Sequence, residues 1–135
     1  MAVSYTLTIN EPERDRQVGA IVYRRMARLS RRTATQARQD VPVRTGNLGR
    51  QIGEGPISMI GPKTAHGSVH DKADYALYVH EGTRAHVIRP KNAQALRFNV
   101  GGREVFAKRV DHPGTKARPF LRNAGLRVAA EEAAR

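Results

Sequence analysis

NEPERDRQVGAIVYRRMARLSRRTATQARQ, residues 10–39, is the stretch from which the fold is read outward. Asn10 stands as an N-cap, Pro12 falls in the first turn, and Glu13 sits at capping-box spacing from Asn10. Val18, Val22, Met26 and Leu29 recur at helical spacing, within an arc of about 80°. Arg24, Arg28, Arg31 and Arg38 project from a different side. These signals predict one long helix to about Gln39, closed by Pro42.

Upstream, Tyr5, Leu7 and Ile9 alternate with Thr6 and Thr8, the period-two pattern of a half-buried strand. Downstream, Arg44 to Asp74 is punctuated by Gly46, Gly49, Gly53, Gly55, Pro56, Gly61, Pro62 and Gly67. It offers strand candidates around Leu48–Ile52 and Ile57–Ile60, with loop expected elsewhere. Residues 73–81 predict a short helix stopped by Gly82, with strand as the alternative reading of Tyr75, Leu77 and Tyr78. At 95–110 Leu96, Phe98 and Val100 alternate, Gly101-Gly102 makes a two-residue turn, and Val105 and Ala107 return. That register sets Phe98 opposite Val105 and Leu96 opposite Ala107. Phe106 lands on the other face, opposite Arg97. After a turn at His112-Pro113-Gly114, Pro119 opens a C-terminal helix from Phe120 to about Ala134. The expectation is a single α+β domain over residues 1–135. A small antiparallel sheet with a β-hairpin is packed by the long N-terminal helix and the C-terminal helix.

Composition narrows the function. The 135 residues hold 24 Lys+Arg against 12 Asp+Glu, a net charge of +12. Nineteen of the cations are arginine, whose planar fork suits phosphates and carboxylates. With no cysteine, disulfides and thiolate metal sites are excluded. The longest uncharged run, the first ten residues, is far short of the roughly 20 needed to span a bilayer, and it has no signal-peptide pattern.

Catalytic candidates are thin. His66 and His70 are four apart, with Asp71 and Asp74 nearby, but Gly67-Ser68-Val69 between them is poor helix and surface-loop histidines are the simpler account. His80 beside Glu81, and His86, read as polar positions around a turn rather than an acid–base pair. No serine elbow, Walker loop or dinucleotide fingerprint is present. The expectation is a non-enzyme with no catalytic, cofactor or metal residues. Nucleic acid is a stronger alternative. Arg16 to Gln39 carries seven arginines and no acid, which would attract a phosphate backbone without reading sequence.

Several motifs occur in a telling order. They are Val41-Pro-Val-Arg-Thr-Gly-Asn-Leu48, Ala73-Asp-Tyr-Ala-Leu-Tyr-Val-His-Glu-Gly-Thr83 and Ile88-Arg-Pro-Lys91, then the hairpin start Ala95-Leu-Arg-Phe98, and last His112-Pro-Gly-Thr-Lys-Ala-Arg-Pro-Phe-Leu121. In order and spacing, over about residues 10–125, they resemble the neck or tail-completion (head–tail joining) proteins of long-tailed double-stranded DNA bacteriophages. Val79-His-Glu-Gly-Thr83 and Asn123-Ala-Gly125 depart from the usual pattern of that family. The resemblance implies a non-enzymatic virion subunit assembled in the host cytoplasm, forming a homo-oligomeric, hexameric ring at the head–tail joint. Its implied partners are other connector proteins and the tail tube or terminator, with nonspecific contact to genomic DNA and none to membrane. The hairpin register makes Phe106 a candidate contact with another chain. Arg24, Arg28, Arg31 and Arg38 are candidates for carboxylates of adjoining subunits, with DNA as a secondary contact.

Overall fold

A computed structural model describes residues 3–135. In chain order the elements are α1 (Glu11–Asp40), α2 (Asn47–Gln51), β1 (Ile52–Glu54), β2 (Ser58–Gly61), β3 (Thr64–His66), β4 (Val69–Asp71) and α3 (Ala76–Glu81), then β5 (His86–Ile88), β6 (Leu96–Val100), β7 (Arg103–Ala107), β8 (Val110–His112) and α4 (Phe120–Ala133). The fold is α+β, with antiparallel strands that pair two by two. Two compact units divide it. One runs through Ala73 and takes in Phe120–Arg135; the other is Asp74–Pro119.

In the first unit, α1 begins where the sequence places it. The Asn10 side chain accepts from the Glu13 N–H at 3.2 Å. Only half of the capping box forms, because the Glu13 carboxylate turns to Arg16 and Gln17 instead. At the other end Val41 is extended, as the residue before a proline prefers, and its N–H closes the last turn on Ala37. The buried residues of α1 are small: Ser30, Ala34 and Ala37. The predicted stripe of Val18, Val22, Met26 and Leu29 is half-buried. Against α1 packs α4, which buries Phe120, Ala124 and Val128. Small side chains on both helices permit a close approach along this seam. Val41, Leu48 and Ile52 complete the core, each buried apolar side chain contributing about 1.5–3 kcal/mol if large.

Three local expectations are corrected here. Residues 5–9 form no strand: they lie outside the secondary structure, with Tyr5 93 % and Leu7 87 % exposed. Alternation specifies a strand only where an edge receives it, and no edge of this chain does. Leu48–Ile52 is mostly the helix α2, entered through Gly46 in the left-handed region, with strand beginning only at Ile52. The segment from Gly53 to Lys72 carries more ladder than expected. β1 pairs with β4 and β2 with β3, both antiparallel, and α1 packs against these strands.

In the second unit, the hairpin β6–β7 has the predicted register, Phe98 opposite Val105 and Arg97 opposite Phe106. Gly101 and Gly102 both take positive φ, as this turn requires. Beyond it, β5 pairs with β8, and an isolated bridge joins Thr83 to Thr115. Each threonine donates its N–H to the other's carbonyl at 3.0 Å, and the two hydroxyls lie 3.1 Å apart. Two Gly-Thr steps, Gly82-Thr83 and Gly114-Thr115, therefore meet backbone to backbone. Gly82 ends α3 at φ 74°, ψ −179°, a region essentially closed to other residues, and a Cβ there would stand 2.5 Å from the Thr115 carbonyl oxygen.

Gly82→Ala is therefore expected to lose about 1–3 kcal/mol from the strained backbone alone. Hydrogen exchange locates the effect: protection of the Thr83 and Thr115 amides should fall well before that of α1. Unchanged protection at both amides would contradict the close approach.

Candidate interaction surface

In Asp74–Pro119 the one buried apolar residue is Ala76, whereas Tyr75, Leu77, Tyr78, Val87, Val100 and Phe106 are exposed. A unit of this size with so thin a core is held mainly by ladder hydrogen bonds, and its apolar side chains remain on offer to another surface. Phe106, in β7, is 64 % exposed. Side chains alternate along a strand, so Phe106 shares a face with Glu104 and, across the ladder, with Arg97 and Asn99. Arg97 donates from Nε to Glu104 at 3.1 Å and also through its terminal nitrogen. That pair neutralises itself. Asn99 is turned to the hairpin turn, accepting from the Gly102 N–H at 2.8 Å. The face thus presents an aromatic ring beside charges that cancel.

The arginines of α1 divide into two groups. Arg28 donates to Glu132 on α4 at 2.7 Å, and Arg32 to the other Glu132 oxygen at 2.8 Å and to Glu131 at 2.6 Å. Arg25 approaches Glu132 to 3.5 Å. Glu132 is only 7 % exposed. The Arg28 hydrogen bond holds its carboxyl below the usual carboxylate range; burial opposes this, and the charges of Arg28, Arg25 and Arg32 reinforce it. Arg38 donates to the Ile52 carbonyl at 2.8 Å, tying the end of α1 to the start of β1. Arg24 and Arg31 make no ion pair or hydrogen bond with the described residues and are exposed. Seven residues apart, they stand two turns and roughly 10 Å from each other on one face.

Four arginines read as one face from sequence therefore have different work. Arg28 and Arg38 serve the chain's own structure, and Arg24 and Arg31 remain for something else. The acidic pair Glu131-Glu132 was a missed signal: a Glu-Glu step near the end of an apolar helix is the natural counter-charge for an arginine-rich neighbour.

The histidines form no convergent centre. His66 lies in β3, paired with Ser58, and His70 in β4, paired with Gly53, so the spacing of four places them in different sheets. Among the described residues no group of three His, Cys, Asp or Glu could hold a metal ion. His80 hydrogen-bonds the neighbouring Glu81 at 2.6 Å. His86 and His112, opposite one another in β5 and β8, stack with ring centroids 5.0 Å apart. His86 Nδ1 donates to the Arg84 carbonyl at 2.9 Å, and His112 Nδ1 accepts from the Gly114 N–H at 3.0 Å. Both rings thereby brace the Thr83–Thr115 bridge. This histidine pair is not visible in sequence, since 26 positions separate its members.

No helix among the described residues is long and apolar enough to cross a membrane. Neither protein-family models, curated proteins nor solved structures give a match to the chain.

Glu132→Gln should lower stability at neutral pH by leaving Arg28 without a carboxylate and Arg32 with Glu131 alone. Because the native carboxyl lies below its unfolded value, its contribution is complete above about pH 4.3 and is lost as pH falls through the native value. Urea midpoints of wild type and variant should therefore converge on acidification. A constant difference from pH 7 to pH 2 would contradict the ion pair.

Proposed function

We propose that this chain is a virion structural subunit of the head–tail joint of a long-tailed bacteriophage, a neck or tail-completion protein. It works as a ring, with six copies the preferred number, that joins the head to the tail and keeps the DNA passage continuous. Its neighbours are other connector rings and the tail tube or terminator, and assembly takes place in the host cytoplasm. The observation that carries the reading is the second unit's thin core beside exposed apolar side chains, Phe106 among them. A subunit that functions alone has no use for it, and a ring subunit buries it against its neighbour. Two of the motifs in the family resemblance, ending in Gly82-Thr83 and beginning before Gly114-Thr115, are the segments that meet in the backbone bridge. The bridge brings these two motifs together and in this way supports the reading.

Phe106→Ser should impair ring or particle assembly and leave the subunit folded, read by light scattering beside circular dichroism. Burial of the ring against a neighbour is worth about 1.5–3 kcal/mol per subunit, a ten- to hundredfold weaker contact. Unfolding of the isolated variant would instead make Phe106 an intrachain core residue.

The second reading, a nonspecific nucleic-acid-binding protein, is favoured by Arg24 and Arg31, which have no counter-charge among the described residues. The double substitution Arg24→Gln, Arg31→Gln separates the two because it spares Arg28 and its Glu132 partner. Carboxylates of adjoining subunits as partners predict weakened head–tail joining with duplex affinity nearly unchanged. Loss of duplex binding with a shallower salt dependence, by roughly one unit of slope per lost phosphate contact, and intact joining would assign the pair to DNA.

A further inference from the structure

Two features of this chain are each incomplete and fit one another. The first is the segment Val3–Ile9, in which Val3, Tyr5, Leu7 and Ile9 alternate with Ser4, Thr6 and Thr8, so that a strand formed here would carry the apolar set on one face. All seven residues are exposed and none joins a ladder. No glycine or proline occurs before Pro12, so nothing turns the segment back on itself. It runs directly into Asn10, whose side chain and carbonyl are both engaged in capping α1, so it leaves a rigid helix end with no linker between. The second feature is the hairpin β6–β7, a two-stranded sheet with both outer edges open. In a two-residue hairpin, alternate residues point their N–H and C=O groups outward, and on β7 these are Glu104 and Phe106.

We propose that residues 3–9 are a donated β-strand that pairs with the outer edge of β7 in a second copy of this chain, laying Tyr5, Leu7 and Ile9 beside Phe106. Lengths agree: β7 has five residues, and so has the alternating run Tyr5–Ile9. The other sheets have strands of three or four residues, too short to receive it. Charge agrees as well. The segment carries no ionisable side chain except the Tyr5 phenol, and the receiving face holds a ring and the self-neutralised Arg97–Glu104 pair. A second copy supplies the acceptor edge, since a ring places a like subunit on either side of each chain. Donor and acceptor surfaces differ, so the contact is head-to-tail, the kind that closes a ring when the rotation per subunit permits. The inference rests on the ring reading in that it names the contact between neighbours.

The test uses the full chain, a variant lacking residues 2–9, and Leu7→Pro, which removes a ladder donor. Light scattering of the wild type should give a multiple of 15.0 kDa, and both variants should lose the oligomer while keeping the helical circular dichroism signal. The chain has no cysteine, so Leu7→Cys combined with Glu104→Cys, or with Lys108→Cys to bracket the register, reports pairing by oxidation. At least one pair should give interchain ladders that vanish on reduction. Oligomers of wild-type size in both arm variants, with Phe106→Ser dissociated, would overturn the donated strand and leave the ring standing. Crosslinks confined to single chains would overturn it too. A wild type that is monomeric at every concentration would overturn both readings.

Discussion

Glu132 is a carboxylate taken almost wholly out of water and held by arginines from a helix a hundred residues earlier in the chain. A charge in that position is strongly unfavourable without its partners, and the partners crowd each other without the charge. The consequence is a register. α4 can meet α1 only where Arg28 and Arg32 reach both Glu132 oxygens, and that alignment sets Ala124 and Val128 into the seam with Ser30, Ala34 and Ala37. Alanine seams slide easily, because one small side chain resembles the next. The ion pair removes that freedom, and Arg38 on Ile52 does the same for the far end of α1.

The second unit is organised differently. With Ala76 its one buried apolar residue, it relies on backbone pairing: two strand pairs and the threonine bridge. Such a scaffold holds its shape locally while leaving aromatic and aliphatic side chains uncovered. Buried packing and exposed apolar surface are thus allotted to different stretches of chain, the helices carrying the first and residues 74–119 much of the second.

What could be read in advance was whatever depends on neighbours in sequence. The cap at Asn10, the stop at Gly82 and the whole hairpin register from Leu96 to Ala107 follow from local periodicity and turn chemistry, and so does Phe106 as the residue left outside. At Leu48–Ile52 so short a run, interrupted by Gly49, fits strand and helix alike, and packing against α1 decides for helix. The strand expected at residues 5–9 failed for a different reason: its pattern is sound, but a strand also requires an edge. Arginine roles were illegible because counter-charge is a property of three dimensions. Nothing between Arg24 and Arg32 distinguishes the members that Glu132 selects.

The threonine bridge also has a topological consequence. It stitches the chain at 83 to the chain at 115, so everything between is an excursion whose entry and exit stay where they are whatever happens at its tip. Around Gly101 and Gly102 there is open space. Lineages of this protein can therefore lengthen, shorten or rewrite that tip without disturbing the stitch, since extending a closed loop costs only a slowly growing entropy. The tip is where the chain can vary at least cost to the stitch.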